Sequence, residues 1–161
     1  MYIGYSREGS SEKFLDMLSL MVSEGYHGLQ LKGSQYAAWL DSPDAFRQKF
    51  DISKIMGIIT SDEGNLQRII DFAGYLDLQA ITWVPSWKKD QMDYSSAAEI
   101  LNRFGSYAKE KGTELSLHNH AGQLFGNQND LHEFCRLVKA ERSGLTIDTA
   151  HLALALSLIH I

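Results

Sequence analysis

Apolar positions along this chain follow two periods that take turns. Short runs alternate apolar with polar residues or are apolar throughout: residues 2–5, 27–33, 54–59, 79–84, 113–120 and 144–148. These predict strands. Between them lie longer stretches with apolar residues three and four apart. Within 11–24, Phe14, Leu15, Leu18, Met21 and Val22 take that spacing, with Ser10 or Ser11 as N-cap and Gly25 as a stop. Helices are also predicted over 61–76 with Ser61 and Asp62 as caps, from about 95 to 111 closed by Gly112, and over 129–140. The stretch 34–51 is weaker and predicts a short helix from Pro43, with Phe46 and Phe50 on one face.

Strands alternating with helices, without hairpin signals, mean parallel βαβ units. No linker or low-complexity stretch interrupts them, so one domain is expected over 1–155. A (β/α)8 barrel spends about 31 residues per unit, so 161 residues hold five units and a sixth strand. Two α/β architectures fit. One is a complete doubly wound sheet of flavodoxin type; the other is an incomplete (β/α)8 TIM barrel with strands one to six. The loop after the first strand, Ser6 to Ser10, has one glycine and makes a poor phosphate loop, which favours the barrel. After His151 the chain reads LALALSLIHI, which lacks the polar face of a surface helix. Residues 156–161 are expected to be a non-native tail, and His160 then carries no functional weight. Six strands cannot close a barrel, so exposed sheet edges and poor stability are expected of the isolated chain.

Composition narrows the class. With 44% hydrophobic and 22% charged residues and only 2 prolines, the chain is globular. Its net charge of −5 argues against a nucleic-acid partner. The single Cys135 excludes an internal disulfide and reads as a buried thiol. Without a signal-peptide pattern or an apolar run of about 18 residues, a cytoplasmic location and no membrane partner are expected. A homo-oligomer stays open.

In parallel α/β folds, chemistry sits at the carboxyl ends of strands. The fifth predicted strand ends in His118-Asn119-His120, the sixth in Asp148 with His151 three residues on. Side chains two apart on a strand share a face, and adjacent strands lie about 4.8 Å apart. The two groups can therefore meet around one ion or substrate. Imidazole plus carboxylate suits a divalent metal such as Zn, Mn, Mg or Co. Each motif alone also has a plain structural role: a polar strand end for the histidines, a helix N-cap for Asp148.

The phrases LSLHNHAGQ (115–123) and LTIDTAH (145–151), with SEGYHGLQL (23–31), resemble the xylose isomerase-like superfamily of sugar phosphate isomerases and epimerases. The resemblance covers residues 1–155 and implies a metal-dependent TIM barrel. It implies His118 and Asp148 as metal ligands, His151 as a ligand or a substrate contact, and His120 on the substrate side as a proton shuttle. Gln30 stands where many relatives carry Glu, and Gln123 where some do; both join the candidate substrate contacts. So do Trp83 and Trp87, which flank Pro85 and either pack on a sugar face or cover the rim. Further family ligands, a His on strand seven and a Glu on strand eight, would lie beyond residue 161, and no general base is assigned.

The activity implied is isomerisation or epimerisation of a sugar or related polyhydroxy compound through an enediolate-type intermediate, with the fragment inactive alone. A polyol dehydratase or a non-catalytic sugar-binding barrel would use the same parts. The endonuclease IV branch shares the Ala121-Gly122-Gln123 ending but needs histidines on earlier strands. Neither Ile58-Ile59-Thr60 nor Trp83-Val84-Pro85-Ser86 supplies one. Lys88-Lys89 reads as a solvated loop, with a phosphate grip as the sharper alternative. His27, at the amino end of strand two, and His132, on a helix, lie off the chemistry.

Overall fold

The computed structural model describes residues 4–5 and 11–157, with side chains over 17–155. The loop Ser6–Ser10, the expected tail beyond Ser157 and His160 lie outside the described residues. Six parallel strands alternate with helices: β1 (Gly4–Tyr5), α1 (Ser11–Ser23), β2 (Gly28–Leu31), α2 (Gly33–Tyr36), α3 (Pro43–Lys49), β3 (Ile55–Thr60), α4 (Leu66–Tyr75), β4 (Ala80–Trp83), α5 (Tyr94–Glu110), β5 (Glu114–His118), α6 (Gln128–Leu137), β6 (Ser143–Thr146) and α7 (Thr149–Ser157). Short 3₁₀ turns at Ala37–Trp39 and Ile52–Lys54 flank α3.

The strands are ordered β1-β2-β3-β4-β5-β6, each parallel to the next. That order decides between the two architectures. A flavodoxin-type sheet reverses direction after its first strands, whereas here every crossover advances by one strand, as in a (β/α)8 barrel. The chain forms six consecutive strands of such a barrel, and among the described residues β1 and β6 each keep an unpaired edge.

Alternation along the strands builds the core. Leu29, Leu31, Ile58, Ile81, Trp83, Leu115 and Leu117 are buried, while α1 packs on β2, α4 on β4, and α5 on β5 and β6. The residues between them carry polar groups that pair across the sheet. Gln30 Nε2 donates to Thr82 Oγ1 at 2.8 Å, and the Ser116 and Thr146 hydroxyls pair at 2.7 Å.

Helix ends follow local chemistry. Gly25 takes φ +83° and lets Tyr26 N–H reach the Met21 carbonyl, which closes α1. Asp93 caps α5 by accepting from Ser96 N–H at 2.9 Å. Asn127 caps α6, in a capping box with Asp130. The helix expected from Ser61 begins instead at Leu66. Asp62 accepts from the Asn65 N–H and side-chain amide, so its carboxylate stabilises a turn ahead of the helix rather than the helix itself. The uncertain stretch resolves into α2 and α3. There Trp39 and Phe50 meet edge to face, with ring centroids 5.9 Å apart, over a buried Phe46. Residues 156 and 157 of the expected tail belong to α7. On that flank Ile147 and Leu154 are exposed.

Candidate active site

The turn after β5 and the corner between β6 and α7 bring four candidates together. β5 stops at His118, so His120 lies in the turn and not on the strand as expected. Its ring centroid is nonetheless 6.4 Å from that of His118 and 3.9 Å from that of His151. Asp148 lies two residues past β6, where it caps α7 and faces two imidazoles. Its Oδ1 accepts the His151 N–H at 2.9 Å, capping α7. Its Oδ2 stands 3.4 Å from His118 Nε2 and 3.9 Å from His151 Nε2.

Charge states follow from these contacts. Burial pushes the His118 imidazole below its ordinary value; the Asp148 carboxylate opposes this, and His151 and His120 reinforce it. The His151 N–H holds the Asp148 carboxyl below the usual range against a smaller effect of burial, helped by the charges of His151 and His118. A neutral imidazole beside an ionised carboxylate is the state in which both can ligate. The Nδ1 atoms of His118 and His151 are buried without a hydrogen-bond partner among the described residues. His120 Nδ1 meets the Ala121 carbonyl at 3.0 Å. A carbonyl only accepts, so this nitrogen is the donor.

Imidazole nitrogen and carboxylate oxygen are donor types that a divalent ion takes. Ligand bonds near 2.1 Å at tetrahedral angles set neighbouring donors about 3.4 Å apart, and the edge between His118 Nε2 and Asp148 Oδ2 measures 3.4 Å. The set is partial. Among the described residues no group of three or more His, Cys, Asp or Glu side chains is arranged to hold a metal by itself.

Asn119 was not singled out from the sequence, yet it joins the two halves of the site. It is fully buried; its Nδ2 donates to the Asp148 carbonyl at 3.0 Å and its Oδ1 accepts the Asp148 N–H at 2.7 Å. The signal was its parity: Leu115, Leu117 and Asn119 are two apart, and a polar residue ending a buried apolar row must find partners. Asn119→Ala is expected to cost about 2 kcal/mol, from two backbone groups losing their partners, as read by urea denaturation. A variant within about 0.5 kcal/mol of the parent would show that the corner holds without this tie.

The other candidates divide. Trp83 is a correction: it is fully buried and packs on Phe104 of α5, with ring centroids 6.1 Å apart, so it fills the core and does not line the mouth. Parity explains this, because Trp83 shares the face of Ile81 while Thr82 takes the opposite one. Trp87 is buried, donates Nε1–H to Glu63 at 2.9 Å, and stands edge-on to Trp83. It shares a narrow crevice with His118, His120 and Gln123. Gln30 lies on β2 with its amide committed to Thr82. Lys88 and Lys89 are not simply solvated. Lys88 Nζ donates to the Gly122 carbonyl at 3.0 Å and Lys89 Nζ to Asp130 at 2.7 Å, tying the loop before α5 to the loop before α6. Cys135 is exposed rather than buried, because α6 turns Leu131, Phe134 and Val138 inward and the next position from Phe134 faces solvent.

Residues 64–157 match the family described as xylose isomerase-like TIM barrel. The chain belongs to this family. No curated protein matches it. Solved structures share the fold. A zinc-bound IolI protein is 15% identical with a TM-score of 0.72, over 96% of this chain and 65% of that one. An L-ribulose 3-epimerase is 14% identical with a TM-score of 0.70, over 96% and 63%. The probable 3-DHS dehydratase AsbF of Bacillus anthracis is 13% identical with a TM-score of 0.65, over 95% and 65%. The xylose isomerase-like chain described here thus spans 63–65% of the length of these three. Among its described residues no helix is long and apolar enough to cross a membrane.

Proposed function

We propose that the full-length protein is a divalent-metal-dependent isomerase or epimerase of a sugar or related polyhydroxy compound. The observation that carries this reading is the convergence of His118 Nε2 and His151 Nε2 on one oxygen of Asp148 at the strand ends. Zinc in one structural neighbour and the epimerase name of another support it.

His118 and Asp148 would hold the metal, with His151 as a third ligand or a substrate contact. A divalent ion bound there would polarise two substrate oxygens and lower the cost of the enediolate left when a proton leaves carbon. His120 donates from Nδ1 to the Ala121 carbonyl, and its other ring nitrogen would orient a hydroxyl or shuttle a proton. Trp87 and Gln123 share a crevice with His118 and His120 and would contact the substrate there. Asn119 keeps Asp148 in register with His118. The neighbouring dehydratase keeps a second reading in view: loss of water from a polyol would begin with the same proton abstraction.

The test is metal content of the dialysed full-length protein by mass spectrometry, beside His118→Ala and Asp148→Asn. About one divalent ion per chain, reduced at least tenfold in both variants, is the expected result. A parent protein that takes up no zinc, manganese, magnesium or cobalt on addition would overturn the reading. With metal bound, product analysis on sugar and polyol panels separates isomerase from dehydratase.

A further inference from the structure

Trp87 is the meeting point of three successive loops at the carboxyl ends of the strands. Its Nε1–H donates to Glu63 Oε2 at 2.9 Å, in the loop between β3 and α4. Its carbonyl accepts the Leu124 N–H at 2.9 Å, in the loop between β5 and α6. Its ring stands edge-on to Trp83 at the end of β4, with centroids 4.9 Å apart. The next residue, Lys88, donates to the Gly122 carbonyl at 3.0 Å. Gly122 takes φ +77°, and the Gln123 N–H closes the turn onto the His120 carbonyl at 3.1 Å. The turn that carries His120 is therefore fastened to the segment Trp87-Lys88, and that segment to Glu63.

Glu63 itself is exposed, yet its backbone is held in place. Thr60 Oγ1 accepts the Asp62 N–H at 3.0 Å, the Asp62 carboxylate engages Asn65, and the Glu63 carbonyl accepts the Leu66 N–H at 3.3 Å. This turn presents a carboxylate to an indole that is only 7% exposed. A buried indole N–H needs an acceptor, and a charged acceptor gives a shorter and stronger bond than a neutral one. The bond fixes the ring that shares the crevice with His118, His120 and Gln123. Further along the same loop Lys89 is anchored on Asp130, so loss of the Glu63 contact frees the indole without releasing the loop.

We propose that Glu63 is a positioning residue: acting through Trp87, it sets the place of His120 beside His118 and His151. The proposal rests on the reading of these histidines as the reacting site, and it adds to that site a residue from the loop between β3 and α4. Its test is NMR of the full-length protein in EDTA at one fixed pH, reading the imidazole Cε1–H and indole Nε1–H signals. Loss of a signal in His120→Asn and in Trp87→Phe assigns the two that matter; His27 and His132, which lie off the site, are the internal references. Glu63→Ala removes the acceptor, and Glu63→Asp keeps the charge but shortens the reach. Both are expected to shift the Trp87 and His120 signals by more than a line width while His27 and His132 stay in place. Glu63→Gln keeps an acceptor oxygen at the same reach and is expected to leave all four signals unmoved. A glutamate that merely supports the fold would lower the urea midpoint without moving His120. A His120 signal unmoved in both Glu63→Ala and Glu63→Asp, or moved as far in Glu63→Gln, overturns the proposal. Because EDTA is present throughout, failure here leaves the metal reading standing, and failure of metal uptake leaves this result standing.

Discussion

Asp130→Ala is expected to lower stability by about 3–5 kcal/mol. The Asp130 side chain is 2% exposed and its two oxygens serve four donors. Oδ1 accepts from Lys89 Nζ at 2.7 Å and Tyr94 OH at 2.6 Å; Oδ2 accepts from the N–H groups of Gly126 at 3.1 Å and Asn127 at 3.0 Å. One carboxylate thus ties the loop before α5, the first turn of α5 and the loop before α6. Alanine would leave the Gly126 and Asn127 N–H groups without this acceptor and the Tyr94 hydroxyl without its partner. Lys89→Met leaves the buried carboxylate three of its donors but no counter-charge, and should cost about 1–3 kcal/mol, less than the alanine. Urea denaturation of both variants reads the difference. Similar small losses in the two would mean that the carboxylate is not the organising group. Since the loop before α6 begins at the site histidines, Asp130→Ala should also weaken metal retention in the full-length protein.

Gly105→Ala is the second large effect, and here the sign itself is the test. Gly105 sits inside α5, where helix propensity alone says that alanine gains about 1 kcal/mol. Packing says the reverse. A Cβ at this position would stand 2.1 Å from Ser143 Oγ and 2.3 Å from the Arg142 carbonyl oxygen. The serine cannot simply rotate away, because its hydroxyl donates to the Leu101 carbonyl at 2.7 Å. The carbonyl is backbone, so α5 and β6 must move apart. Overpacking of this kind costs about 1–3 kcal/mol, and a value near the upper end is expected. A more stable Gly105→Ala would show that α5 rides further from the sheet than described.

Much of the architecture was legible because period and punctuation agree. The apolar rows of 11–24 and of the α5 region, each closed by a glycine, could be nothing but helices between buried strands. The meeting of His118 with Asp148 was legible because two strand ends in a parallel sheet can be placed without coordinates. What escaped was what depends on which partner a side chain meets once the chain is folded. Asp62 reads as a helix cap until Asn65 is seen to engage it. Lys89 reads as solvated because Asp130 lies 41 residues away. Trp83 was assigned to the mouth by its position at a strand end, and parity with Ile81 would have corrected that. Asn119 was passed over as a spacer between two histidines, although its own row of leucines marked it as buried.

The capping role of Asp148 has a thermodynamic consequence. One oxygen of this carboxylate accepts from the first turn of α7, and the other faces the imidazoles. Anything that draws the carboxylate toward a bound cation alters its hold on that turn, and anything that frays the turn loosens a ligand. On the proposed metal reading, occupancy of the site and order in α7 are coupled equilibria, and by linkage each biases the other by the same free energy. This is why asparagine, itself a good N-cap, is the informative replacement at position 148. It removes the charge the proposed ion would need and leaves the helix its acceptor.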